Sequence, residues 1–103
     1  MARTVTVYHP LPDRVERRVV EGCYLQLRQQ REDGCESQRF LLVMPGPRQQ
    51  IWPGDRVIAG QGPLVTRQQW DSFLPVTVEG LVQVRWVEGY ELEGELTHFE
   101  AGS

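Results

Sequence analysis

Lysine is absent from this chain: all eleven basic residues are arginine. A Walker-type phosphate loop needs a Gly-Lys pair, so that class of nucleotide site is excluded. The all-arginine usage is ascribed to GC-rich coding. Cysteine is scarce, with only Cys23 and Cys35, and no C-x-x-C spacing occurs. The two histidines, His9 and His98, sit near opposite ends of the chain. No metal-ligand pattern results, and neither a metal nor a cofactor is expected. Long apolar runs are also missing. Nothing approaches the roughly 18 residues needed to cross a bilayer. The opening MARTVTVYH has no apolar core of a leader peptide, so an intracellular chain with reduced thiols is expected. There is no positive excess either, because the formal net charge is −3. Binding nucleic acid by neutralising phosphates needs a basic face, so no sequence-specific nucleic-acid partner is expected.

At 103 residues, 40% apolar and 24% charged, the chain has the size and composition of one globular domain spanning 1–103. Charge is unevenly spread. Arg3, Arg14, Arg17, Arg18, Arg28 and Arg31 lean to the N-terminal side, and Glu79, Glu88, Glu91, Glu93, Glu95 and Glu100 to the C-terminal side. Such halves can pair within a fold or between copies of it.

The apolar pattern is that of short strands. Thr4–Tyr8 alternates, and Pro10 and Pro12 end the run. Val15–Gln30 carries a Val-Val pair, a tyrosine and a mid-run Gly22. It reads as two strands or one long bent strand with Gly22 at a bulge or bend. Arg31–Gly34 is a polar turn, Ser37–Met44 a strand, and Pro45–Gln50 a loop. Pro53-Gly54-Asp55 turns into the strand Arg56–Ala59, and Gly60–Pro63 makes a corner. Thr66 and Gln69 have capping-box spacing, so a short helix is expected over Arg67–Phe73, with Trp70 docking it. Leu81–Val87 alternates, with Val82, Val84 and Trp86 expected on the core face. Glu88–Glu91 is expected to turn, and Glu95–Phe99 to form a last strand with Leu96 inward. These elements predict a mainly β fold: a single antiparallel β-barrel or sandwich of six to seven strands with one short helix near 67–73.

Chemistry is hard to find. Gly60-Gln61-Gly62 cannot complete a G-x-G-x-x-G because the third glycine position is Val65, and Pro63 removes an N–H that an anion nest would use. No serine lies in a G-x-S-x-G setting. Cys23 sits in an apolar run, and Asp33 and Glu36 beside Cys35 oppose thiolate formation. Glu91, Glu93 and Glu95 would share one face of a strand. No Asp-rich loop accompanies them, so a solvated acidic edge is expected. No catalytic residue is assigned, and the chain is expected not to be an enzyme. Loops are left as the working parts. Trp52 precedes Pro-Gly at a loop tip beside Arg48, Gln49 and Gln50. These four residues, with Gln61 in the Gly-rich corner, form the expected interface, the other place for Trp52 being a cap on one end of the barrel.

Seven segments then stand in order: TVTVYH, VVEGCYLQ, RFLLVMPG, PGDRVIAGQGP, QQW, LVQVRWV and ELTHFEAG. Together they span the chain from Thr4 to Gly102, and this order resembles small structural proteins of bacterial prophages encoded in the head–tail gene cluster of Gram-positive hosts. The resemblance implies a β-barrel subunit of head-completion, stopper, tail-joining or minor-capsid type. Such a subunit has no enzymatic activity and assembles in rings between portal and tail. Its partners would be portal, connector or tail proteins, or copies of itself. It would reside in the bacterial cytoplasm during assembly and in the virion if the prophage is functional. It transfers no functional residue. The alternative expectation is a small intracellular β-barrel adaptor that binds a protein or peptide and is unrelated to phage.

Overall fold

A computed structural model describes residues 3–32 and 35–103, with the side chains of 29–38 outside that description. Seven strands form one antiparallel sheet: β1 (Arg3–Pro10), β2 (Val15–Glu32), β3 (Cys35–Pro45), β4 (Arg56–Ala59), β5 (Val82–Gln83), β6 (Trp86–Leu92) and β7 (Glu95–Gly102). Their order across the sheet is β5-β4-β1-β2-β3-β7-β6. The sheet curls into a half-barrel, as expected from the strand count. Its two edge strands are neighbours in sequence. Val84 N donates to Asp55 O at 2.8 Å beside β4, and Arg85 N donates to Gly102 O at 2.8 Å beside β7. The chain therefore changes partner from β4 to β7 within two residues, which draws the two edges of the sheet together at that point.

Val15–Glu32 is one bent strand. Val5 pairs with Val20 and Arg3 with Cys23, so Glu21 and Gly22 oppose the single residue Thr4. This is a bulge, and Gly22 takes φ +76° there, a conformation that costs an L side chain about 1–2 kcal/mol. The bend lets β2 leave β1 and continue with β3 as a two-stranded ribbon. The expected polar turn over Arg31–Gly34 and any approach of Cys23 to Cys35 fall largely outside the described residues. At the other hairpin, Glu93 and Gly94 have φ 54° and 83°, as a two-residue type I′ turn requires.

The core has two parts. Val5, Val7, Leu42, Met44, Ile51 and Val57 are among the side chains filling the inside of the curl. Tyr8, Trp70, Phe73 and Leu81 pack on the outer side of β1 and β4, beneath the long connection from Gly60 to Leu81. β1 is thus covered on both faces, with Thr6 and Tyr8 as buried as Val5 and Val7.

Three expectations change. The expected helix over 67–73 contracts to a 3-10 turn at Trp70–Ser72. Its capping box is nevertheless made: Gln69 N donates to Thr66 Oγ1 at 3.2 Å, and Thr66 N donates to Gln69 Oε1 at 3.0 Å. Trp86 is not a core residue but 38% exposed. The strand is interrupted where it changes partner, so the alternation that buries Val82 and Val84 does not carry through to Trp86. The expected turn at Glu88–Glu91 is strand, and the chain reverses later, at Glu93-Gly94. Consequently Glu91, Glu93 and Glu95 do not line one strand face. Glu91 pairs with Leu96, Glu93 occupies the turn, and Glu95 opens β7.

Candidate interface surfaces

Trp52 is held from below by Asp55. Trp52-Pro53-Gly54-Asp55 is a β-turn in which Asp55 N donates to Trp52 O at 3.1 Å. The same aspartate accepts from Trp52 N through Oδ2 at 2.9 Å. Its other oxygen, Oδ1, lies 2.6 Å from His9 Nδ1. Asp55 is 1% exposed, and this burial raises its pKa despite the hydrogen bonds from His9 and Trp52, which act in the opposite direction. The turn projects the indole outward, 36% exposed. His9 packs against it at 5.4 Å and the Arg18 guanidinium lies 5.5 Å from the ring centre. Arg18 is in turn held by Glu16 at 2.8 Å.

Arg48 and Gln49 are exposed, and Gln50 is half-buried. Gln49 Nε2 donates to Ile51 O at 2.8 Å, and Gln50 O accepts from Arg18 at 3.4 Å. The segment Arg48–Trp52 is therefore continuous, with Arg18 and His9 added to it. Sequence reasoning missed those two as members. Only the Pro-Gly turn was visible there, because His9 and Arg18 arrive from β1 and β2. Gln61 is exposed but lies beyond the far end of β4, so the fold does not bring it to Trp52.

The Gly60–Pro63 corner is tied into the fold. Thr6 Oγ1 donates to Gly60 O at 2.7 Å and accepts from Gly62 N at 2.9 Å. Arg17 donates twice to Gly62 O, at 2.9 and 2.6 Å. Tyr8 Oη donates to Pro63 O at 2.6 Å. Burial raises the Tyr8 pKa, partly offset by Arg17. Below it, Arg56 donates to the carbonyls of Trp70 and Phe73 and lies 3.8 Å over the Trp70 ring, which fixes the 3-10 turn against β4. Desolvation lowers the Arg56 pKa, with Asp71 opposing that shift.

The outer face of β2, β3, β7 and β6 is a second surface. Tyr24 pairs with Val43, Gln26 with Leu41, and Arg28 with Arg39. Trp86 lies beside Gly102, where any Cβ would meet the indole at 2.6 Å. Tyr90 stacks on His98 at 4.9 Å, and His98 Nε2 is 3.2 Å from Glu100. Tyr90 also donates to Glu88 at 2.9 Å, a bond that raises its pKa.

His9 and His98 do not meet: one is on β1 and the other on β7, with β2 and β3 between them. Among the described residues no group of three His, Cys, Asp or Glu side chains is placed to hold a metal ion. Cys23 is buried, and desolvation lifts its thiol to about 11. No helix among the described residues is long and apolar enough to cross a membrane. Compared with protein-family models, with curated proteins and with solved structures, the chain matches none.

Proposed function

We propose that this chain is a non-enzymatic structural subunit of a prophage head–tail junction, of head-completion or stopper type, acting by assembly with its own copies and with portal or tail proteins. The sequence resemblance supplies the class. The observation that carries the reading is the placement of the two hairpins. β3 and β7 pair only over Leu41–Pro45 and His98–Gly102. The β2–β3 hairpin continues past the Leu41 end and the β6–β7 hairpin past the Pro45 end. A small half-barrel with arms at opposite ends suits a subunit that touches two different neighbours. The activity would reside in contacts, and the loop Arg48–Trp52 adds a third contact surface.

The test is the composition of the particle. Phage particles induced from the source bacterium are purified and their peptides identified by mass spectrometry. Peptides of this chain at the level of a ring component, alongside portal and tail proteins, are expected. Particles containing portal and tail proteins but none of this chain contradict the reading.

A second reading, an adaptor for a protein or peptide unrelated to phage, is favoured by the Trp52 anchor flanked by Arg18. In that case substitution of Trp52 abolishes partner binding, and the chain is absent from particles.

A further inference from the structure

The two hairpins differ sharply in charge. Between Glu88 and Glu100 the chain has five glutamates and no arginine. At the tip of this β6–β7 hairpin, Leu92 is 68% exposed, with Glu91, Glu93 and Glu95 around it. Over Tyr24–Val43 the β2–β3 hairpin has three arginines and three acidic residues, and two of the arginines meet. Arg28 and Arg39 are directly paired across the strands, so two like charges share one face. Such a pair is unfavourable in isolation. Both are exposed. With Gln26 they rim a pocket of about 270 Å³ lined also by Phe40 and Leu41.

The geometry points to a second copy of this chain as the occupant of that pocket: the β6–β7 tip of one copy docks on the Arg28–Arg39 face of the next. Leu92 supplies the apolar knob against Leu41, which shares the outer face with Arg39 while the Phe40 side chain is buried in the core, and the glutamates of the tip reach the two guanidiniums. Arginine suits this, since its planar fork takes carboxylates bidentately. One copy cannot satisfy itself. Counting residues along β3 and β7 from Arg39 to Glu95, the two surfaces lie roughly 30 Å apart, at opposite ends of the sheet. The contact joins two different surfaces, and repeated head to tail it forms a ring where its rotation closes. Each contact is small and salt-sensitive, so an isolated pair is weak. Closing a ring makes the last contact intramolecular and strengthens the whole. This inference rests on the assembly reading above and names the surfaces that reading requires.

Sedimentation equilibrium of the full chain at high protein concentration tests it. At about 0.01 M salt the weight-average mass is expected to rise with concentration beyond that of a dimer. At about 1 M salt, where charges are screened within about 3 Å, it is expected to fall toward 11.9 kDa. The double variant Arg28→Glu/Arg39→Glu and the double variant Glu91→Arg/Glu95→Arg are each expected to weaken association by more than about tenfold. Mixing the two is expected to restore it, since one faulty surface of each then meets a complementary one. Leu92→Ser is expected to weaken association at every salt concentration. Circular dichroism and melting confirm that each variant is folded. A wild-type chain that stays monomeric at low salt overturns this contact, as does undiminished association of the variants or failure of the mixture to recover. Particle composition, measured separately, decides the assembly reading itself.

Discussion

If the Gly60–Pro63 corner is a structural joint, its sensitivity should lie at Gly62 and should run through Tyr8. A Cβ on Gly62 would lie 2.7 Å from Ile58 Cγ2 and would collide with the Tyr8 hydroxyl. Tyr8 is fully buried and donates to Pro63 O, so it has no free space to retreat into. Overpacking of this kind costs about 1–3 kcal/mol. Pushing the hydroxyl off its carbonyl leaves buried polar groups unpaired, at about 1–3 kcal/mol more. Gly62→Ala is therefore expected to cost about 3 kcal/mol in urea denaturation, which for a domain this size lowers the melting midpoint by roughly 12–24 °C. In a Tyr8→Phe background the hydroxyl is gone, so the added cost of Gly62→Ala should shrink by about 1–2 kcal/mol. The reasoning is refuted if Gly62→Ala costs under about 0.5 kcal/mol, or if its cost is the same in both backgrounds.

Three further predictions concern buried groups. Because burial raises the Asp55 pKa above its usual 3.8, the native state holds the proton more tightly than the unfolded chain. The stability of wild type relative to Asp55→Asn should therefore fall as pH rises from below 3.8 through the raised value, as read by denaturation at stepped pH. A relative gain over that window would mean that the His9 and Trp52 hydrogen bonds outweigh burial. In a Cys35→Ser variant, the Cys23 thiol, lifted to about 11, should resist a disulfide reagent at pH near 8 and react fully in urea. Rapid labelling of the folded protein would contradict its burial. Arg56→Met removes the donor to the Trp70 and Phe73 carbonyls, so a loss of about 2–4 kcal/mol and a red shift of tryptophan emission are expected. An unchanged emission maximum would show that the 3-10 turn stays docked without it.

The strands were legible because their signals are local. Alternation, the Pro-Gly turn and a mid-strand glycine at Gly22 all act over a few residues. The capping box at Thr66 and Gln69 was legible for the same reason, although the helix it opens is only a 3-10 turn. What escaped the sequence was set at long range. Trp86 read as core because the alternation from Val82 looked unbroken, whereas the change of partner from β4 to β7 interrupts it. The position of the last turn was misplaced for a related reason. Gly89 reads as a turn residue, yet it lies within β6 opposite Phe99. Around Trp52, only the loop was visible from sequence. His9 and Arg18 are brought to it by β1 and β2, and no spacing rule links them to the turn that carries Trp52 and Asp55. The paired arginines Arg28 and Arg39 are eleven residues apart and become neighbours only through the hairpin register.

The central claim is a place in the head–tail junction. It is tested most directly by sequencing the DNA on either side of the gene in its source genome. The account predicts portal, capsid and tail genes within a few kilobases, with the gene order naming the neighbour in the stack. Neighbours of metabolic or regulatory type would contradict it, and the adaptor reading would then lead.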